Sequence, residues 1–338
     1  MTARDVIVAS AEGVGRITLN RPKALHALTL GMCRDIISAL QAWESDPAIS
    51  AIVIDHSEDR GFCAGGDVRQ LYGSLRGDGQ GVLDFFRTEY RMNHLLFTLQ
   101  KPVTCIMDGV VMGGGAGLAM PSRFRVATEA TQYAMPETGI GLFPDVGGGW
   151  FLSRLPGRIG EWLALTGARL DGADCLALGL ATHFAPRATL VEFKAGRLPS
   201  LPPPPARIGL LRSRIDHLFF AERIEEIIAA LESDASNWAN EQLTEIAKKS
   251  PLSSKVALRQ LRESRTLSQF SDNMRMEFRI VARLIAKPDF VEGVRAFVID
   301  KDNRPRWSPR RFEDVADDQV DAIFAPLPEE EEWTPLKR

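Results

Sequence analysis

The chain has 338 residues, of which 45% are hydrophobic and 25% are charged, and its net charge at pH 7 is −3. These proportions are ordinary for a globular protein, and a slightly negative chain has no general attraction to the phosphates of nucleic acid. The N-terminal residues resemble neither a secretory signal nor a transit peptide, and the longest uncharged stretch, 109–122, is too short to span a bilayer. We therefore expect a cytoplasmic protein with no nucleic-acid or membrane partner.

The cysteines and histidines do not form a metal-binding pattern. The four cysteines are widely spaced and include no CxxC pair, and the five histidines form no HExxH set. We expect reduced and mostly buried thiols, no metal ion and no nucleophile activated by a histidine. Carboxylates are then the leading candidates for chemistry.

The N-terminal part of the chain predicts a hairpin and then a first unit of helix, strand and glycine loop. Residues 6–9 and 15–20 flank a turn and predict the β-hairpin. Helical spacing of apolar residues predicts a helix from an N-cap at Thr29 to residue 43. A short buried strand at 51–54 is followed by a glycine loop at 60–67 that opens another helix.

The same order recurs further along the chain, which we interpret as a weak internal repeat. The second unit has a helix at 83–99, a strand at 103–107 and a glycine loop at 113–117. A third unit, with strands at 124–128 and 132–135, leads into a segment with two carboxylates. Glycines in both loops leave backbone amides that a ligand can approach closely.

That segment, residues 134–150, reads AMPETGIGLFPDVGGGW and contains Glu137 and Asp145, each directly after a proline. Its glycines and prolines exclude an ordinary helix or central strand, so we expect a loop that leads into a helix near Trp150. Apolar residues lie between the two acids, and packing against them disfavours a charged carboxylate, as in general acids and bases. The competing interpretation is that Asp145 caps the next helix and Glu137 is a solvated turn residue.

The second half of the chain is predicted to be helical. Residues 198–205 contain four consecutive prolines and predict a stiff linker, so we place a boundary near Pro202 between a core, 1–201, and a helical region, 202–338. The acidic run 329–332 predicts a solvated tail. Helical patterns occupy residues 160–166, 171–180, 208–231, 238–249, 253–263 and 267–286, ahead of a turn-rich segment at 289–307.

A glycine loop before a helix can bind phosphate or a dinucleotide, form an oxyanion hole, or serve only as a tight turn. The chain has no GxxxxGK[ST] motif, which excludes a P-loop, and Leu118 stands where GxGxxG requires its third glycine. Two such loops in repeated units, ahead of paired acids, favour the oxyanion hole.

The motifs LNRPKALHAL, GFCAGGD, DGVVMGGGAGLAM and AMPETGIGLFPDVGGGWFLSRLPG, at 19–28, 61–67, 108–120 and 134–157, resemble those of the crotonase superfamily. The resemblance extends through residues 293–302 and so covers nearly the whole chain. It implies the α/β crotonase fold of repeated ββα units, with a helical C-terminal region.

The resemblance also implies a role for particular residues. Gly66 and Gly114 correspond to the two amides of the oxyanion hole, and Glu137 and Asp145 to the acids of the site. Glu89 corresponds to a further glutamate of the pocket. The residues expected at the adenine end of coenzyme A (CoA) are Lys23, Ala24, Leu25 and Ala64.

Two differences from the enoyl-CoA hydratases of the superfamily favour hydrolysis. Gly117 stands where hydratases have their first catalytic glutamate, and Asp145 stands where they have glycine. The resemblance thus implies hydrolysis of a short 3-hydroxyacyl-CoA thioester, with 3-hydroxyisobutyryl-CoA of valine breakdown as the expected substrate. The alternatives are an enoyl-CoA hydratase or isomerase and a non-catalytic acyl-CoA-binding protein. His26 replaces the usual asparagine of the first motif, which leaves the contacts beside it open.

The acyl-CoA substrate is the partner that the resemblance implies, and CoA enters as part of the substrate, so no cofactor is expected. The sequence leaves open whether Glu137 acts as base or nucleophile, and whether the chain forms a homo-oligomer.

Overall fold

The computed structural model describes residues 4–57, 61–75, 80–195, 197 and 204–337. The predicted boundary near Pro202 lies outside the described residues. The strands of the described part are β1 (Val6–Ala11), β2 (Val14–Leu19), β3 (Ala51–His56), β4 (Val103–Met107), β5 (Val110–Met112), β6 (Phe124–Ala127), β7 (Gln132–Ala134), β8 (Leu170–Asp171) and β9 (His183–Phe184).

The strands form two sheets. The larger sheet has the order β1-β2-β3-β4-β6-β9, in which only the β1–β2 hairpin is antiparallel. The smaller sheet has the order β5-β7-β8, with β5 and β7 parallel. Two successive units therefore give one strand to each sheet, β4 with β5 and then β6 with β7. The hairpin and the crotonase fold are confirmed.

The helices are α1 (Leu30–Ser45), α2 (Val68–Leu75), α3 (Gln80–Thr98), α4 (Gly114–Ala119), α5 (Gly148–Leu152), α6 (Ile159–Thr166), α7 (Gly172–Ala177), α8 (Leu190–Lys194), α9 (Ile208–Leu218), α10 (Ile224–Asp234), α11 (Asn237–Ile246), α12 (Pro251–Thr266), α13 (Phe270–Leu284), α14 (Pro288–Val294) and α15 (Asp317–Phe324). Helix α1 starts as predicted, because the Thr29 side chain accepts a hydrogen bond from the Met32 N–H. No described helix is long and apolar enough to cross a membrane. The four cysteines are free and buried, as expected.

Two secondary-structure predictions are wrong. The second glycine loop is a helix from Gly114 onward, since α4 includes four of its five residues. A Cβ at Gly115 would lie 2.3 Å from the carbonyl oxygen of Cys63, so the glycine permits close packing of this helix on the first loop. The helix predicted at 208–231 is two helices, α9 and α10, separated by residues 219–223.

The acidic run near the C-terminus is not a solvated tail. Trp333, directly after it, is fully buried. The Arg279 guanidinium donates a hydrogen bond to the Glu332 carboxylate at 2.7 Å, and the Arg87 guanidinium donates to the carbonyls of Glu331 and Glu332. These contacts hold the tail against α3 and α13, because arginines on both helices pair with its charges.

The C-terminal helices pack directly on the elements around the carboxylates. Helix α12 contacts α5 and α6, α13 contacts α3 and α5, and α14 contacts the turn at Glu137–Ile140. The helical region is therefore part of the wall around residues 134–150.

Candidate active site

The glycine loops, α3 and the 134–150 segment surround a cavity of about 570 Å³. Its wall is mostly apolar, with Phe85, Phe86 and Leu142 among its members. Six of the predicted site residues line it, namely Ala64, Gly66, Glu89, Gly114, Glu137 and Asp145. A largely apolar cavity with a few convergent polar groups is the usual form of a small-molecule site.

The predicted oxyanion glycines both lie on this cavity with amides that the local secondary structure does not use. Leu28 bridges to the first loop through the Gly65 carbonyl and the Asp67 N–H, which leaves the N–H of Gly66 out of the bridge. Gly114 is the first residue of α4, where an N–H has no partner within the helix. The two loops are in contact, because a Cβ at Gly65 would lie 3.6 Å from the Gly114 nitrogen.

Three buried carboxylates meet beside these glycines. Glu89, Glu137 and Asp145 are 2%, 6% and 5% exposed. Oε1 of Glu89 lies 2.3 Å from the position of a Cβ on Gly114, and Oε1 of Glu137 lies 3.0 Å from one on Gly113. Among the described residues, Oε1 of Glu89 and Oε2 of Glu137 have no hydrogen-bond partner. Buried polar atoms of this kind are typical of a site that completes its hydrogen bonds with substrate or water.

Burial raises the pKa of all three acids, because each charged form loses its hydration. The pKa of Asp145 rises to about 7. For Glu89, the neighbouring charges of Asp145 and Glu137 raise the pKa further. Since the acids influence one another, protons leave the cluster in steps that belong to the group as a whole.

The competing interpretation of the two acids, as a helix cap and a solvated turn residue, is wrong. Gly147, not Asp145, is the N-cap of α5, and no side chain caps that helix. The Asp145 carboxylate instead accepts a hydrogen bond of 2.8 Å from the hydroxyl of Tyr90. Glu137 opens a short 3₁₀ turn, Glu137–Ile140, and its side chain is buried.

Sequence reasoning missed three side chains that surround the acids. Tyr90 follows Glu89 on α3, so its neighbour in sequence is the available signal. Lys249 is buried, lines the cavity beside Lys248, and its charge lowers the pKa of Glu137 against the rise caused by burial. Glu277 on α13 contacts the backbone after Asp145 and has no local signal in the sequence.

Other predicted residues lie away from the acids. Lys23 and Ala24 belong to a 3₁₀ turn and Leu25 follows it, and none of the three lines the cavity. The Leu25 carbonyl accepts a hydrogen bond from the Ala64 N–H at 3.0 Å, which connects this segment to the cavity edge. Gly117 faces away from the cavity lining, since a Cβ there would lie 2.6 Å from Val146 and 2.8 Å from Asn93. Within the described residues, no group of three or more metal-ligating side chains is arranged to hold a metal ion.

Comparison with known proteins gives a consistent picture. Residues 14–324 match the model of the enoyl-CoA hydratase/isomerase family. A mitochondrial 3-hydroxyisobutyryl-CoA hydrolase of Gallus gallus is 44% identical over 96% of this chain and 90% of that protein. A probable 3-hydroxyisobutyryl-CoA hydrolase of Arabidopsis thaliana is 41% identical over 98% of this chain and 94% of that protein.

Two solved structures have nearly the same fold. One, titled an enoyl-CoA hydratase of Rhodobacter sphaeroides 2.4.1, has a TM-score of 0.94 at 40% identity and covers 98% of this chain and 100% of its own. The other, titled a carnitinyl-CoA dehydratase of Mycobacterium thermoresistibile, has a TM-score of 0.93 at 38% identity and covers 98% of this chain and 99% of its own.

Proposed function

This chain belongs to the enoyl-CoA hydratase/isomerase family, and we infer that it hydrolyses 3-hydroxyisobutyryl-CoA to 3-hydroxyisobutyrate and CoA. Relatives that carry the name of this activity are 41% and 44% identical across nearly the whole chain. An acyl-CoA thioester hydrolase of this kind was also what the sequence predicted.

One observation carries the choice of hydrolysis over hydration. The two acids of the cavity are Glu137 and Asp145, whereas Gly117, at the position of the first hydratase glutamate, points its hydrogen at Val146. A side chain at Gly117 would collide with Val146 and Asn93. The polar groups of the cavity therefore converge from the Glu137–Asp145 segment and from Glu89.

In the proposed reaction, the N–H groups of Gly66 and Gly114 stabilise the negative charge that develops on the thioester oxygen. Glu137 takes a proton from the water that attacks the carbonyl carbon, or attacks that carbon itself and forms an anhydride that water then opens. In both routes the bond from carbon to sulfur breaks, and CoA leaves as a thiolate that takes up a proton. A buried carboxylate with a raised pKa is a stronger base than an exposed one, which suits either role.

Asp145 orients the water or shares a proton with Glu137, and Glu89 provides an acceptor for the 3-hydroxyl of the acyl group. The unpartnered Oε1 of Glu89 supports this assignment. The segment from Lys23 to Leu25, together with Ala64, is proposed to receive the adenine end of CoA. We further propose that the reaction needs no metal or bound cofactor and that it serves valine degradation. A cytoplasmic location and a homo-oligomer stay predictions; the relative of Gallus gallus is named mitochondrial.

The test is to incubate the purified protein with 3-hydroxyisobutyryl-CoA and, separately, with crotonyl-CoA. We expect free thiol from the first substrate, measured with a thiol reagent, and no loss of the enoyl absorbance from the second. Loss of that absorbance without thiol release would assign the protein to the hydratases, as the solved structures are titled. Binding of both thioesters without turnover would make it a non-catalytic acyl-CoA-binding protein.

A further inference from the structure

Glu277 on α13 is fully buried, does not line the cavity, and directs both carboxylate oxygens at the turn that follows Asp145. We propose that Glu277 is a positioning residue for thioester hydrolysis, which fixes the turn that presents Asp145 to the substrate. The proposal rests on the proposed function, and it assigns part of the reaction to the C-terminal helical region.

The contacts of Glu277 connect three segments. Oε2 accepts a hydrogen bond from the Gly147 N–H at 2.7 Å, and Oε1 accepts one from the Gly149 N–H at 3.0 Å. Oε1 also accepts from the side-chain amides of Gln260 at 3.0 Å and Asn273 at 2.8 Å. The same nitrogen of Gln260 donates to the Pro144 carbonyl at 2.8 Å. The backbone on both sides of Asp145 is thus held by α12 and α13.

This turn needs such support because its backbone is strained. Val146 has a φ of 54°, in the left-handed region that β-branched residues rarely adopt. A residue held there costs on the order of 1–3 kcal/mol and persists only where its surroundings impose the conformation. The hydrogen bonds from Gly147 and Gly149 to Glu277 begin at the next residue, so they oppose relaxation of the turn and the accompanying rotation of Asp145.

The four partners of Glu277 are all donors, and a proton on its carboxyl would have to displace one of them, so the carboxylate form fits the site. Burial raises the pKa of Glu277, while the N–H groups of Gly147 and Gly149 and the Asn273 amide lower it. Its charge in turn raises the pKa of Glu137. The titratable groups facing Asp145 and its neighbour acid are Glu89 and Tyr90 from α3, Glu137 from the 3₁₀ turn, Lys249 after α11, and Glu277 from α13.

The experiment compares Glu277→Gln, Glu277→Asp and the control Glu161→Gln in thiol release from 3-hydroxyisobutyryl-CoA across pH. Glu161 is an equally buried glutamate that pairs with Arg158 and Arg265 outside the cavity. We expect Glu277→Gln to lower kcat by about 10- to 100-fold, the cost of a slightly misplaced catalytic group, with KM within about threefold of wild type. Its acid limb should move to lower pH, because a negative charge beside the acids is removed.

Glu277→Asp keeps the charge but cannot span both glycine amides, so its kcat should fall while its acid limb stays in place. Glu161→Gln should change neither quantity. A folded Glu277→Gln protein with wild-type kcat and pH profile would overturn the proposal, and if that variant does not fold, wild-type kcat in Glu277→Asp would do so. The failure of the proposed function is a separate result, namely no thiol release by the wild type. The amide proton shifts of Gly147 and Gly149 are then measured without substrate, and unchanged shifts in Glu277→Gln would also reject the positioning role.

Discussion

Tyr90 provides the most direct test of the carboxylate cluster. Its hydroxyl donates a hydrogen bond of 2.8 Å to Oδ2 of Asp145, and both side chains are buried. This hydrogen bond favours the charged form of Asp145 and so lowers a pKa that burial has raised to about 7. The change Tyr90→Phe removes the donor and keeps the ring. The pKa should therefore rise, and the acid limb of the pH–rate profile should move to higher pH.

The size of the shift follows from the strength of the bond. A hydrogen bond to a charged group contributes about 1.5–3 kcal/mol, and one pKa unit corresponds to about 1.4 kcal/mol. Part of that energy is kept when Asp145 is protonated, because tyrosine can donate to either form. We therefore expect the apparent pKa of the cluster to rise by about one unit, from about 7 in the wild type.

The assay is kcat/KM for thiol release from 3-hydroxyisobutyryl-CoA between pH 5 and 9, roughly two units on either side of the expected value. The matched control is Tyr133→Phe, which removes the hydroxyl of an equally buried tyrosine on β7. An acid limb in Tyr90→Phe that coincides with the wild-type limb would refute the assignment of Asp145 to the titrating cluster. A limb displaced equally in both variants would show a general effect of lost hydroxyls.

Glu137→Gln should lower kcat by about 10²- to 10⁴-fold with an unchanged circular dichroism spectrum, and a near-wild-type rate would make Glu137 structural. Gly114→Ala places a Cβ 2.3 Å from Oε1 of Glu89 and should cost about 10²-fold in single-turnover rate, unless the amide is not used. Asp145→Asn should stabilise the fold in urea by up to about 4 kcal/mol at pH 8 and by almost nothing at pH 4, since the folded pKa lies above 3.8 and stability is lost as pH rises through about 7. Trp333→Ala should destabilise it by about 3–5 kcal/mol, and an unchanged Tm would mean a loosely held tail.

Much of the fold was predictable because its signals are local. The Thr29 cap and the helical spacing after it act within one helix, and α1 begins at the next residue. The hairpin required only two short strands around a turn. The Glu137 and Asp145 pair was visible because each acid follows a proline in a segment that glycines keep irregular.

Other features depended on contacts that a local pattern does not contain. The glycines of α4 lower its helix propensity, yet the helix forms because a larger side chain at Gly115 would meet the Cys63 carbonyl. The acidic run 329–332 has the composition of a solvated tail, but Arg87 and Arg279 are on helices distant in sequence and bind it. Composition states the charge of a segment and not the charge that it will face.

The same reasoning applies to the division of the chain that the sequence suggested. A boundary near Pro202 would assign the acids to a core and the later helices to an accessory region. However, Gly147 and Gly149, close behind Asp145, donate their N–H groups to Glu277, and the Gln260 amide holds the Pro144 carbonyl on the other side. The φ of 54° at Val146 is a conformation that residues 134–150 would leave without those acceptors. The geometry of the acid site is therefore a property of both regions, and a core expressed without α12 and α13 should fail to present Asp145 even where its sheets form.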